Sequence, residues 1–231
     1  TTWRMIWDFI YSFASIVISL SLGLMLGNVA LGLPLSEQHD FIGDWLSFFN
    51  PFSIMVAITT LALFMLHGAI YLAMKTENRL YTKMTLLAKS FTVFFVVALG
   101  LTTLYTLLYI PHLSDRIRSS SQYFILPVIM FLAIANIPRQ LNKGKYFNAF
   151  ISSAVTIASL LAMVAIEVFP YLLYATNDAR NSITVENAAS SLKTMKTLLL
   201  IAAIGAPLVA MYTGFVFWTF KGKVELDESS Y

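Results

Sequence analysis

Long stretches without charged residues alternate with short polar segments along the whole sequence. Stretches free of Asp, Glu, Lys and Arg cover residues 9–36, 45–74, 90–111, 119–138, 146–166 and 197–220. A helix that crosses the hydrocarbon core of a bilayer needs about 20 mostly apolar residues. The pattern therefore predicts an all-α, polytopic transmembrane bundle with six helices, at about 5–31, 51–74, 86–110, 121–137, 146–170 and 195–220.

Proline and glycine mark the ends predicted for most of these helices. Asn50-Pro51 opens the second helix, because a proline at the first helical position lacks only an N–H group that the helix does not use. Helix ends are predicted at Gly32-Leu33-Pro34, Ile110-Pro111, Ile137-Pro138 and Phe169-Pro170. Pro127 and Pro207 fall inside predicted helices, where we expect them to produce kinks.

The composition agrees with a membrane protein and excludes other classes. Apolar residues make up 58% of the 231 positions and charged residues 12%, whereas soluble domains average about 45–50% and about 25%. The net charge of +3 is too small and too dispersed for a nucleic-acid-binding face. The absence of cysteine excludes disulfides and thiolate metal sites. No P-loop, dinucleotide-binding glycine motif or zinc-protease motif is present.

Lysine and arginine are unevenly divided between the two sets of loops. Ten lie at the termini and in the connections between helices two and three and between helices four and five, and five lie in the other connections. Cytoplasmic loops are enriched in these residues, so both termini are predicted to be cytoplasmic. Residues 221–231 then form a cytoplasmic tail after a bundle at 1–220. The tryptophans fall near predicted membrane boundaries: Trp3, Trp7, Trp45 and Trp218.

Small residues recur every four positions on three of the predicted helices. Such stripes allow two helix backbones to approach closely in a membrane. The stripes are Ser15, Ser19, Gly23 and Gly27 on the first helix, Ala154, Ala158 and Ala162 on the fifth, and Ala202, Ala206, Ala210 and Gly214 on the sixth. We expect helix contacts there, either within this chain or with another subunit.

Polar side chains inside the predicted spans are the candidate functional residues, because burying them in hydrocarbon is unfavourable. They are Asp8, Asn28, His67 and Glu167. Asp8 has either a buried role or the ordinary role of a carboxylate at a helix N-terminus. Asn28 is expected to form an interhelical hydrogen bond or a cap. His67 and Glu167 lie close enough to helix ends to be interfacial.

His67 is also weighed as a haem ligand. A membrane b-type haem usually takes a histidine from one helix and a histidine or methionine from another. Of the three histidines, His39 lies in a loop and His112 follows the third helix, so only His67 lies within a span. The chain cannot supply a bis-histidine pair. A histidine–methionine site is conceivable with ten methionines, but no spacing points to one, and no metal site is predicted. His67 is expected to be a hydrogen-bonding structural residue.

Several short segments resemble subunit II of the cytochrome bd quinol oxidases, in the order and at the spacing found in that family. The first are Trp3-Arg4-Met5-Ile6-Trp7-Asp8, Leu26-Gly27-Asn28-Val29, Gly32-Leu33-Pro34-Leu35 and Asn50-Pro51-Phe52. The others are His67-Gly68-Ala69-Ile70-Tyr71-Leu72, Phe169-Pro170, Ser182-Ile183-Thr184-Val185, Asn187-Ala188-Ala189-Ser190-Ser191 and Pro207. The family has nine helices, and the sequence resembles its C-terminal two-thirds, without the first three.

The resemblance implies a subunit of a prokaryotic inner-membrane enzyme that oxidises quinol and reduces O₂ to water while forming a proton gradient. Haems b and d are then expected in the partner subunit I, with no haem and no catalytic residue in this chain. Its role would be that of scaffold and interface partner in a heterodimer. Quinone binding by this chain and contact with a small accessory membrane subunit stay open. Acidic residues of the family's proton route fall in the absent third.

Two other functions remain alternatives from the residues alone. One is a secondary transporter of a small solute, which should show inverted repeats and convergent polar groups near the membrane midplane. The other is a membrane-anchor subunit of a different respiratory complex. A spectrum of the purified protein with its partners distinguishes them, because only the oxidase carries b- and d-type haem bands.

Overall fold

The computed structural model describes residues 2–114, 119, 121–220 and 222. It contains six helices that are long and apolar enough to cross a membrane, which confirms the predicted all-α class. These are α1 (Thr2–Leu31), α2 (Pro51–Lys75), α3 (Asn78–Tyr109), α4 (Ile125–Asn142), α5 (Tyr146–Val168) and α6 (Leu192–Thr219). Apart from Gly222, the predicted tail at 221–231 lies outside the described residues.

Three predicted helix bounds are wrong by a turn or more, since α4 also begins at Ile125 rather than near 121. Helix α3 begins at Asn78 rather than near 86, and its first turns carry Arg79 and Lys83. Charged residues end an apolar run, but they are good helix formers, so the helix continues beyond the apolar stretch. Helix α4 runs from Ile125 to Asn142, whereas the prediction ended it at Pro138.

The predicted end of α4 was wrong because of how its prolines were interpreted. Pro138 lies inside the helix. A membrane bundle tolerates the loss of the hydrogen bond that a proline removes, because neighbouring helices can satisfy the freed backbone group. Pro127 is the third residue of α4. It lies in the first turn, where its missing N–H is not used, and the reason for expecting a kink there disappears. Pro207 lies inside α6, as predicted.

Other helix ends follow the predicted signals. Asn50 caps α2 by accepting a bond from Ser53 N at 2.8 Å, with Pro51 as the first helical residue. Helix α1 ends before Gly32, whose φ of 85° lies in the left-handed region that glycine adopts easily. Helices α3 and α5 end just before Ile110-Pro111 and Phe169-Pro170.

Two long loops meet at one end of the bundle, which we call the loop end. Here α1, α3 and α5 finish, and residues 32–50 contact residues 169–191. The second loop contains a small antiparallel sheet of β1 (Tyr171–Leu173) and β2 (Ile183–Thr184). Asn177 ties the loops together, because its side chain accepts from Leu35 N and donates to Leu35 O, both at 2.9 Å. The opposite end, with the short α2–α3 and α4–α5 turns, is the turn end.

The main core lies among α2, α3, α4 and α5. Leu66 and Ile70 of α2 are fully buried, as are Phe95 of α3 and Ile137 of α4. Ala149 contributes a fully buried small side chain from α5. These four helices therefore form a packed unit, against which α1 lies with its last turns.

Helix α1 approaches α2 through the predicted glycines. A methyl group on Gly23 would lie 2.6 Å from Ala57 Cα, and one on Gly27 would lie 2.6 Å from Ser53 Cα. Both distances are far below ordinary contact, so only glycine allows this separation of the two backbones. Ser19 is half-buried one turn earlier, and residues 3–18 are exposed.

The predicted alanine stripe does not form the buried face of α5. Ala158 is exposed, and the buried residues of this helix include Ser152, Ser153, Thr156 and Ser159. Ser152 and Thr156 donate to carbonyls one turn earlier in their own helix, at 2.9 and 3.0 Å. A hydroxyl satisfied in this way is small enough for close helix packing, so these residues form the contact face within the described chain. The alanine stripe stays a prediction for contact with another subunit.

Helix α6 is covered little by the rest of the described chain. It has no buried residue, and a methyl group on Gly214 would meet no described atom within 4 Å. Ala206 and Ala210 are also exposed. The predicted small-residue stripe of α6 is therefore not used within this part of the chain.

Replacing Gly23 by alanine is expected to destabilise the α1–α2 contact, because the new methyl group has no space. Such overpacking costs about 1–3 kcal/mol, so the thermal midpoint of the purified protein in detergent should fall. Gly100→Ala is the matched control, since a methyl group there meets no described atom within 4 Å. Equal midpoints for the two variants would contradict the close approach.

Candidate functional site

The four candidate polar residues lie on three helices and do not form one site. Asp8 is exposed near the start of α1, and Glu167 is half-buried as the penultimate residue of α5. Asn28 is buried near the end of α1. His67 is half-buried, about 12 Å from the end of α2. Each of these residues therefore belongs to a separate polar environment.

Asn28 joins α1 to the start of α2 at the loop end. Its Nδ2 donates to Leu24 O at 2.8 Å and to Phe48 O at 2.9 Å. Its Oδ1 accepts from Asn50 Nδ2 at 3.0 Å, and Asn50 is the cap of α2. Both ends of this amide are satisfied, so the geometry is that of an interhelical connector.

His67 lies between α2 and α5. Its Nδ1 is 2.7 Å from Ser153 Oγ, and its ring stacks on Phe150 with centroids 4.5 Å apart. Ser153 Oγ is also 2.8 Å from Phe150 O, so both contacts form together when His67 carries its hydrogen on Nδ1. The hydrogen bond and the stacking together fix the orientation of the imidazole.

A chain of neutral amides connects α4 and α5 at the turn end. Gln140 Nε2 donates to Asn136 Oδ1 at 2.9 Å, and Asn136 Nδ2 donates to Ser152 Oγ at 2.9 Å. Gln140 Oε1 is buried without a hydrogen-bond partner among the described residues. This open acceptor is suited to an ordered water.

Two further polar contacts join α3 to its neighbours. Thr59 Oγ1 and Thr102 Oγ1 are 2.8 Å apart across the α2–α3 interface. The hydroxyls of Tyr81 and Tyr146 are 2.8 Å apart between α3 and α5. The threonine pair lies within the bundle, and the tyrosine pair lies at the turn end, where α5 begins.

The sequence reasoning missed these partners because it considered mainly ionisable side chains. A usable signal was nonetheless present. Asn136 and Gln140 are four residues apart, and Ser152, Thr156 and Ser159 follow the helical repeat, so each set shares one helix face. Polar residues in such a pattern within an apolar helix indicate an interface with another helix.

The loop carboxylates form a different environment. Asp178 accepts a bond from Arg180 Nη2 at 2.8 Å, and this guanidinium lowers the pKa of Asp178 below its ordinary value. The pair is therefore formed at neutral pH and is lost only when the pH falls through that lowered pKa. Glu186 is exposed.

A haem or metal ion needs side chains that can act as its ligands, and the described residues can be tested for such a set. They contain no group of three His, Cys, Asp or Glu side chains that could hold a metal ion. A bis-histidine haem would need a second histidine opposite His67. His39 cannot supply it, because its Nδ1 is 2.9 Å from Asn181 O in the loops, and the side chain of His112 lies outside the described residues. The described residues therefore do not fit a bis-histidine haem.

These features define a multi-pass membrane protein in which several polar side chains join neighbouring helices. Residues 1–220 match the family model for cytochrome bd terminal oxidase subunit II, and the chain belongs to that family. The two alternatives from sequence, a secondary transporter and an unrelated membrane anchor, lose their support with this assignment.

Individual relatives are distant but cover nearly the whole chain. Cytochrome bd-I ubiquinol oxidase subunit 2 of Escherichia coli K12 is 20% identical over 99% of this chain and 68% of the relative. Cytochrome bd ubiquinol oxidase subunit 2 of Bacillus subtilis is 22% identical over 98% and 66%. The bd oxidase structure from Geobacillus thermodenitrificans shares the fold, with a TM-score of 0.71 and 19% identity over 91% of this chain and 64% of that one. The chain thus spans about two thirds of their length.

Replacing Asn28 by alanine is expected to destabilise the loop end, because three hydrogen bonds are lost together. Hydrogen bonds inside membrane proteins contribute about 0.6 kcal/mol each on average, so the expected loss is about 2 kcal/mol. Reversible unfolding in mixed detergent micelles measures it. Ser15→Ala, on the exposed half of the same helix, is the control. Equal stability of the two variants would show that the Asn28 network is not structural.

Proposed function

We propose that this chain is the scaffold and interface half of a cytochrome bd-type quinol:O₂ oxidoreductase, with the redox centres held by subunit I. The observation that carries the proposal is the family match over residues 1–220. Quinol oxidation releases electrons and protons, and the electrons reduce O₂ with proton uptake to form water. The donor set of the described residues supports placing the haems in the partner.

The partner surface is proposed to include α6 and the first half of α1. Both are long apolar helices; residues 3–18 of α1 are exposed, and α6 has no buried residue. The stripe of Ala206, Ala210 and Gly214 on α6 is suited to close approach by another membrane helix. Such a helix belongs either to subunit I or to another membrane segment of the complex.

The candidate polar residues receive different roles in this proposal. Asn28 and His67 are structural, because their side chains are tied to neighbouring helices. Asp8 and Glu167 lie near helix ends and are proposed for interface or proton-handling roles. A quinone site in this chain and a small accessory subunit are outcomes to be tested rather than parts of the proposal.

The chain is placed in the bacterial cytoplasmic membrane with the turn end inward. The lysines and arginines favour this orientation, because the short turns at that end carry Lys75, Arg79, Arg139 and Lys143. The loop containing residues 33–50, at the other end, has neither lysine nor arginine.

The experiment is an absorbance spectrum of the complex purified through a tag on this chain, in wild type and in His67→Gln. Both samples should contain b- and d-type haem bands in equal amounts, because His67 is assigned no haem. Loss of a band in His67→Gln alone would overturn its structural role. A colourless wild-type protein without a haem-bearing partner would overturn the proposed function.

A further inference from the structure

A cavity of about 1100 Å³ opens at the turn end, between the α2–α3 turn and the last turn of α6. One part of its wall is apolar and includes Leu72, Leu80, Val216 and Phe217. The rest of the wall contains charged side chains from α2 and α3. An apolar surface beside a charged one, at the end of membrane-spanning helices, matches the boundary between hydrocarbon and headgroups.

The charged part of this groove is mainly cationic. Lys75, Arg79 and Lys83 line it, and Glu77 is the only carboxylate among its described lining residues. Arg79 and Lys83 are both exposed and lie one turn apart on α3, so they share a face. They are positioned to contact one anion together.

Lys75 has a different task in the groove. Its Nζ donates to Phe220 O at 3.0 Å and to Gly222 O at 3.2 Å. These carbonyls follow the C-terminus of α6, where the helix dipole is negative. Lys75 therefore neutralises that end of α6 and joins the two walls, which leaves Arg79 and Lys83 for a ligand.

The start of α3 adds a further attraction for an anion. The helix begins at Asn78, and the preceding Glu77 side chain makes no capping hydrogen bond. The first N–H groups of a helix have no partner within the helix, and they carry partial positive charge. A phosphate beside Arg79 would lie next to these groups.

From this geometry we infer that the groove binds an anionic membrane phospholipid. Its phosphate contacts Arg79, Lys83 and the N-terminus of α3, and an acyl chain lies along Leu72 and Phe217. The apolar wall distinguishes a lipid from free phosphate, and the excess of cations distinguishes an anionic lipid from a zwitterionic one. This site would add to the Lys75 contacts that tie the end of α6 to the α2–α3 turn.

Native mass spectrometry of the purified complex, delipidated and then titrated with phosphatidylglycerol, tests the inference. The double variant Arg79→Gln/Lys83→Gln should need roughly ten- to thirty-fold more of this lipid for the same occupancy. Arg139→Gln/Lys143→Gln is the matched control, because these cations have the same spacing at the same end but do not line the groove. The control should bind like wild type, and Arg79→Lys should retain most of the affinity.

Three results would overturn the inference. The first is equal phosphatidylglycerol binding by wild type and the Arg79/Lys83 double variant. The second is equal binding of phosphatidylethanolamine and phosphatidylglycerol by wild type, since the cations would then have no role. The third is displacement of the lipid by excess inorganic phosphate together with unchanged binding by Phe217→Ser, which would identify a free-anion site. Weaker lipid binding by Phe217→Ser supports the lipid.

Discussion

The structure depends on one constraint: polar groups inside its membrane-spanning helices pair with other groups of the protein, with Ser53 Oγ and Gln140 Oε1 as the exceptions among the described residues. Water is absent from the hydrocarbon core, so an unpaired amide or hydroxyl there is strongly unfavourable. Asn28 meets this constraint through Asn50 and Phe48, and His67 meets it through Ser153. Each bond also fixes how two helices pack, and in this way the polar residues determine the arrangement of the apolar ones.

The same constraint separates the covered helices from the uncovered one. Helices α2 to α5 pack their buried side chains against one another and form hydrogen bonds between helices, whereas α6 has no buried residue. Its small-residue stripe and the exposed first half of α1 give the chain apolar surface beyond what its own core uses. The described polar groups thus join helices of the bundle, and the described chain leaves apolar membrane surface on α6 and the first half of α1 uncovered.

Much of this fold was predictable from the sequence, because apolar length alone identifies a membrane-spanning helix. Proline and glycine located the ends of α1, α3 and α5. Pro138 misled the prediction, since whether a proline ends a helix depends on neighbours that the local sequence does not reveal. The residues that line helix interfaces were harder to predict from the sequence. Gly23 and Gly27 followed from spacing, but Ser153 became visible as the partner of His67 only when α2 and α5 were packed together.

We propose that α6 presents its small-residue face to a protein partner. Nitroxide labels on Ala210→Cys and Leu208→Cys test it directly, because the chain has no cysteine of its own and the two positions lie on opposite faces of α6. Electron paramagnetic resonance of the membrane-embedded complex then measures how accessible each label is to dissolved oxygen. If α6 packs on a partner through its small-residue face, the label at 210 should be poorly accessible to oxygen and the label at 208 highly accessible. Equal, lipid-like accessibility at both positions would contradict it.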